Sequence, residues 1–174
     1  MSDESFVCAT CGQRHAGLPT DYGFRLPDEV HALSYVDQYS RSRSNADLCT
    51  LDESRYFLRG VIPVPFADSD EEFGWGVWVE VNKQHHDLYA TRFREDLSST
   101  PRFQGQLAND IPGYGGTTGL VVDIQLQSAN DRPAFFLHET SSHALALEQR
   151  LGITRARHHD ILEGVGFFKE NDGA

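Results

Sequence analysis

Two cysteines separated by two residues, Cys8 and Cys11, are followed by Gly12 and, three positions further on, by His15. Zinc favours thiolate sulfur and imidazole nitrogen in a tetrahedron, and a two-residue gap lets one tight turn present both sulfurs to a single ion. Gly12 suits that turn because glycine tolerates positive φ. A third cysteine, Cys49, is the available fourth donor, and His31 could replace His15. The pattern reads as a structural zinc knuckle with Cys8, Cys11, His15 and Cys49 as ligands. A closed site of four ligands leaves no position for substrate, so such a metal clips the fold and does not catalyse. The competing reading makes Cys49 a buried small residue and the other two free thiols. A thioredoxin-like redox role ranks below both, because it needs the cysteine pair to open a helix and Gly12, Gly17 and Pro19 oppose one.

Catalytic chemistry has fewer anchors. His138 and His143 are the histidines best placed for proton transfer, and with Arg59 and a carboxylate such as Asp123 or Glu139 they would make a small hydrolase-like site. Neither a G-x-S-x-G elbow nor an H-E-x-x-H helix is present. The adjacent pairs His85-His86 and His158-His159 diverge by about 100° on a helix and do not suit one shared ion. The segment Gly113-Tyr114-Gly115-Gly116-Thr117-Thr118-Gly119 lacks the lysine of a phosphate-binding loop and reads as a connection.

The elements that position these groups follow from periodicity and turn chemistry. Residues 1–27 hold too many glycines and prolines for long elements and read as a loop-built appendage packed on an α+β domain over 28–170. Val30, Leu33, Val36 and Tyr39 predict a helix over 28–41. Leu48–Leu51 and Tyr56–Val64 predict a hairpin, with Pro63 and Pro65 marking an edge because proline cannot donate to a ladder. In Phe73–Val81, Trp75, Val77, Val79 and Val81 share one face, and Trp78 lies opposite with Glu80. That makes Trp78, with Tyr114 of the glycine loop, a candidate partner contact, against the alternative of burial under a helix. A helix over 83–97, with His85, Leu88, Tyr89 and Phe93 on one side, a strand at Phe103–Leu107 and a hairpin of Leu120–Gln127 with Arg132–Leu137 follow. Two helices complete the chain, one over 143–151 capped by Ser141 or Ser142 and ended by Gly152, the other from Thr154 to about 163. Hairpins without a βαβ rhythm imply an α+β class, a mostly antiparallel sheet with helices packed against it.

The chain has 174 residues with 15 basic and 26 acidic side chains, a net charge of −11. That balance opposes a phosphate backbone and an anionic membrane surface, and no apolar run approaches the roughly 20 residues of a spanning helix. Nucleic acid and membrane are excluded as partners on these grounds, and the acidic, polar start predicts a cytoplasmic protein.

Several motifs occur in one order: Phe6-Val7-Cys8-Ala9-Thr10-Cys11-Gly12 with His15 and Leu18-Pro19, Asp47-Leu48-Cys49, Tyr56-Phe57-Leu58-Arg59-Gly60, and Phe73-Gly74-Trp75-Gly76-Val77-Trp78-Val79. Gly105 to Leu107, Pro112-Gly113-Tyr114, Arg132-Pro133 and His143-Ala144-Leu145 through Gln149 follow. Over nearly its whole length the chain resembles the bacterial domain of unknown function 2199. The resemblance implies a bacterial origin and a one-domain extent and leaves the chemistry open. The reading preferred at this level is a non-enzymatic binding or regulatory module with a protein partner and structural zinc. A small hydrolase-like enzyme, and an immunity-type protein that neutralises a basic partner, are the alternatives.

Overall fold

Strand alternation dominates the architecture. A computed structural model describes the backbone of residues 6–7 and 14–15 and all of residues 17–169. In chain order the elements are β1 (Phe6–Val7), β2 (Arg14–His15), β3 (Asp21–Gly23), α1 (Asp28–His31), α2 (Tyr35–Arg41), β4 (Ser42–Ser44), β5 (Leu48–Leu51), β6 (Arg55–Pro65) and β7 (Glu72–Val81). They continue with α3 (Lys83–Arg92), β8 (Phe103–Leu107), β9 (Val121–Gln125), β10 (Ala134–Leu137), α4 (Ala144–Leu151) and α5 (Arg155–Gly164).

Five strands, β6 to β10, close into a barrel, with β3 on one flank and β5 and β4 on the other. The pairings are antiparallel except for β10 with β6 and β3 with β7. A meander with an odd number of strands must meet itself in parallel. The predicted antiparallel sheet is therefore present, but it is wrapped around a core and not laid flat under helices. β6 and β7 pair over ten positions, from Tyr56↔Val81 to Pro65↔Glu72. On its other side β6 pairs β5 up to Leu58 and then β10 at Val61. Pro63 and Pro65 fall just past that point, where the missing N–H leaves no ladder bond unmade. Their carbonyls accept from Gln149 Nε2 (3.1 Å) and Ile153 N (2.8 Å) of the chain that covers this edge.

The barrel interior is filled by Leu58, Ile62, Trp75, Val77, Val79, Ile124 and Phe135 among others, all fully buried. Two glycines face inward and make this filling possible. A Cβ at Gly60 would lie 2.5 Å from Phe135 Cζ, and one at Gly105 2.4 Å from Val79 Cγ1. Outside, β8 alternates between buried and exposed residues, whereas the outer positions of β6 and β7 are mostly half-buried and are fully buried at Phe57 and Trp78. A second cluster, Val30, Cys49, Leu51, Phe57 and Trp78, packs on that outer face with Phe24, Leu26 and Leu33.

Several expectations change. The predicted helix over 28–41 is split, because Ser34 caps α2 with its hydroxyl accepting from Asp37 N at 3.1 Å, and Val36 and Tyr39 turn outward to solvent. The helix after Asn82 ends at Arg92 and leaves Phe93 exposed. Asp21–Gly23, expected in loop, forms β3 beside β7. The cap of α4 is His143, not Ser141 or Ser142. The β5–β6 turn carries positive φ at Asp52 and Glu53, where Arg41 grips the Asp52 carboxylate through two bonds of 2.8 Å.

Gly105→Ala is expected to lower stability by roughly 1–3 kcal/mol through overpacking of the barrel. Gly164→Ala, at the end of α5 with open space around it, should raise stability by up to about 1 kcal/mol. Urea midpoints of both variants measure the contrast.

Candidate functional site

The arms β1 and β2 pair antiparallel, Phe6↔His15 and Val7↔Arg14. The six residues that connect them in sequence include Cys8 and Cys11. Both cysteines, and the side chain of His15, lie outside the described residues. Cys49 is fully buried on β5 within the outer cluster, and its Sγ donates to the Thr50 carbonyl at 3.8 Å. Burial pushes its thiol up to about 11, because the interior disfavours the thiolate. These are the surroundings of a small packed residue. His31 is exposed at the end of α1. Among the described residues the group with metal-ligand spacing is His159, Asp160 and Glu163 on α5, which the sequence reading did not select.

The catalytic candidates are dispersed. His143 Nδ1 accepts from Leu145 N (3.2 Å), capping α4, while Nε2 donates to the Gly116 carbonyl (3.0 Å). Both ring nitrogens of a neutral imidazole are thereby engaged in tying the glycine loop to the helix. His138 Nδ1 accepts from the Thr140 hydroxyl (2.8 Å) and amide (3.3 Å). The cavity it lines, with Gln104, Val121, Thr140 and Ser141, includes neither Arg59 nor His143. Asp123 receives a 3.5 Å bond from Gln104 on the outer barrel wall, and Glu139 is exposed with its carbonyl bonded by Arg150.

Trp78 and Tyr114, read as partner contacts, are interior residues. Trp78 is fully buried in the outer cluster, and its indole donates to the Phe24 carbonyl at 3.1 Å. The sequence pattern placed it opposite the core face correctly; what it lacked was the second layer, residues 24–33, that covers that face. Tyr114 is also buried, edge-on to Trp75, and its hydroxyl donates to Glu148 Oε2 at 2.5 Å. Arg157 holds the other oxygen of Glu148 at 2.6 Å. Burial, then the Glu148 carboxylate, pushes the Tyr114 phenol well above its usual range.

The covering layer is pinned by groups that periodicity cannot reveal. Asn109, fully buried, accepts from Trp78 N (2.8 Å) and donates to the Leu26 carbonyl and to Asp28 Oδ1 (both 2.9 Å). Asp28 Oδ2 accepts from Asp110 N at 2.6 Å. Buried Thr117 donates to the Asn109 carbonyl (2.7 Å) and accepts from Ile111 N (2.8 Å), shaping the glycine loop. Arg55 bridges Glu29 of α1 to Glu80 of β7, with 2.6 Å to Glu80 Oε2. The bond to Arg55 pulls the Glu29 carboxyl below its ordinary range.

One cation on this face is different. Arg59 of β6 is half-buried, and its Nε is enclosed with no acceptor among the described residues. Burial, reinforced by the charge of Arg132, depresses its affinity for its proton, against the opposing pull of Asp47. Arg132 itself is paired with Asp47 at 3.0 Å.

The fold and site define a single compact α+β domain built on a mixed, closed barrel. Residues 7–153 match the family described as an uncharacterized protein conserved in bacteria (DUF2199), and the chain belongs to that family. No curated protein and no solved structure matches it significantly. No helix among the described residues is long and apolar enough to cross a membrane.

Asn109→Ala should cost roughly 2–4 kcal/mol, because it strands the Trp78 amide and the Leu26 carbonyl in the interior; thermal unfolding reports it. Cys49 gives a pH dependence. The unfolded thiol ionises near 9 and the folded one near 11, so the unfolded chain loses its proton first and stability falls as pH rises between those values. The loss should approach roughly 3 kcal/mol. It is read as the difference in pH slope between the parent and Cys49→Ala.

Proposed function

We propose that the protein is a non-enzymatic binding module whose N-terminal hairpin carries a structural zinc site. The observation that carries this reading is the antiparallel pairing of β1 with β2. The pairing sets Val7 beside Arg14, the two ends of the segment that holds C-x2-C-Gly, and a two-residue gap is a spacing from which two thiolates can reach one ion. His15 at the foot of the hairpin is the third donor. Cys49 is left out of the set, because it packs with Val30, Leu51, Phe57 and Trp78. His31, exposed on α1, is the remaining candidate for the fourth position. A zinc clip here would staple residues 1–16 without offering a site to substrate.

The binding reading is preferred to a hydrolase because the two candidate histidines already serve as caps. His143 fastens α4 and the glycine loop, and His138 closes the Thr140 turn. A partner of the protein class remains the proposal.

Metal analysis of the purified full chain tests the zinc. About one zinc per chain is expected, lost in Cys8→Ser and Cys11→Ser and retained in Cys49→Ser. A parent protein purified in zinc-containing buffer that carries no zinc overturns the proposal.

A further inference from the structure

We infer that the cavity between α2 and β4 is a binding site for an aromatic monocarboxylate, with the carboxylate held by Arg43 and the ring lying against Tyr35 and Tyr39. The cavity has a volume of about 400 Å³, within the range of small-molecule sites, and Arg43 lines it together with Tyr35, Gln38, Tyr39, Ser42 and Ser44. Backbone fixes the guanidinium in place. Its Nη1 donates to the carbonyls of Tyr39 and Ser42, both at 2.8 Å. The other edge, Nε with Nη2, has no acceptor among the described residues, and Arg43 is exposed, so a solute can reach it. Elsewhere in the chain the same edge grips carboxylates. Arg41 holds Asp52 through Nε and Nη2 at 2.8 Å each, and Arg55 holds Glu80 at 2.6 and 3.2 Å. Two parallel N–H groups match a carboxylate, and a guanidinium pinned by other bonds loses little further freedom when it binds one.

The rest of the lining selects a ring. Tyr35 and Tyr39 lie one turn apart on the same side of α2, 86% and 79% exposed. Among the described residues neither ring meets another ring and neither hydroxyl is bonded, and α2 buries none of its residues. These two rings therefore do nothing for the core, and an aromatic ligand would meet them edge-on or offset-stacked. Gln38 is fixed beside them, its Nε2 donating to the Leu33 carbonyl at 3.3 Å. Charge sets the sign of the ligand. The chain carries −11 overall, yet no acid lines this cavity. The one acid within residues 34–46, Asp37, acts on Arg41, which Asp52 already holds. One carboxylate therefore neutralises Arg43, whereas a dianion would add an excess negative charge to an already acidic surface. The site is independent of the zinc proposal, since neither its residues nor its ligand involve the N-terminal cysteines.

The test is an NMR titration of the isotope-labelled full chain with sodium benzoate, sodium acetate and benzylammonium chloride at constant ionic strength. Benzoate should saturably shift the Arg43 Nε–H signal and the amides from Tyr39 to Ser44. Acetate, which lacks the ring, should bind at the same place roughly tenfold more weakly. Benzylammonium, which keeps the ring and reverses the charge, should leave these signals unmoved. Arg43→Gln should lose the benzoate response. The double variant Tyr35→Ser, Tyr39→Ser keeps the arginine and, because both rings are exposed, the fold; its affinity for benzoate should fall to that for acetate. Each of these results would overturn the inference: no saturable benzoate shift, equal affinity for benzoate and acetate, a matching response to benzylammonium, a response retained in Arg43→Gln, or an unchanged affinity in the double tyrosine variant. Loss of zinc binding with the benzoate response intact would leave this inference standing and sink only the other.

Discussion

The β6–β7 hairpin is buried along its inner face and, at Phe57 and Trp78, on its outer face too, and most of what surrounds it follows from that condition. Its inner face supplies much of the barrel core, with Leu58, Ile62, Trp75, Val77 and Val79. Its outer face carries Phe57 and Trp78, too much apolar area to leave in water, so another part of the chain must cover it. Residues 24–33 do so. The barrel proper is one consequence of the hairpin, and the external layer is the other.

A covering layer made of one helical turn and extended chain has little hydrogen bonding of its own, and its polar backbone must be satisfied from outside. Asn109 performs this task with three bonds of its amide, joining Trp78 of the sheet to Leu26 and Asp28 of the layer. Arg55 adds a charged bracket between Glu29 and Glu80 at the margin. The pairing is half-exposed and contributes modestly to stability, but it fixes where α1 lies. Against this pattern Arg59 is conspicuous. It shares the face and the strand with Arg55, yet the same layer provides it with no carboxylate.

Much of the strand inventory was legible because its signals are local. The alternation of Trp75, Val77 and Val79, the turn residues Asp52–Arg55 and Asn130-Asp131, and the caps at Thr154 and Gly152 each depend on neighbours a few positions away. The helix over 28–41 was misread because Val30 and Leu33 have the right spacing, while Ser34 offers the backbone a competing bond that starts a new helix. The cap at His143 was missed for a related reason: serine is the commoner cap, and an imidazole can accept the same amide when the loop holds its other nitrogen. Of the candidate site, the cysteine spacing and Arg59 were visible as residues. The paired arms that bracket the first, and the lack of an acceptor for the Nε of the second among the described residues, were not.

Sequence alone determined the strand character of the segments from β5 to β10, the sign and size of the net charge, the cysteine pattern and the resemblance to a bacterial family. These are properties of residue type and short-range order. Only the tertiary structure decided that the sheet closes on itself, that Trp78 and Tyr114 lie inside, and that Arg55 is paired whereas Arg59 Nε has no acceptor among the described residues. Closure and charge pairing depend on distances between residues remote along the chain, because hydrogen bonds need contact within about 3 Å and Coulomb energies weaken with distance and are screened over about 10 Å. Composition counts the charges, but the fold alone sets which of them meet.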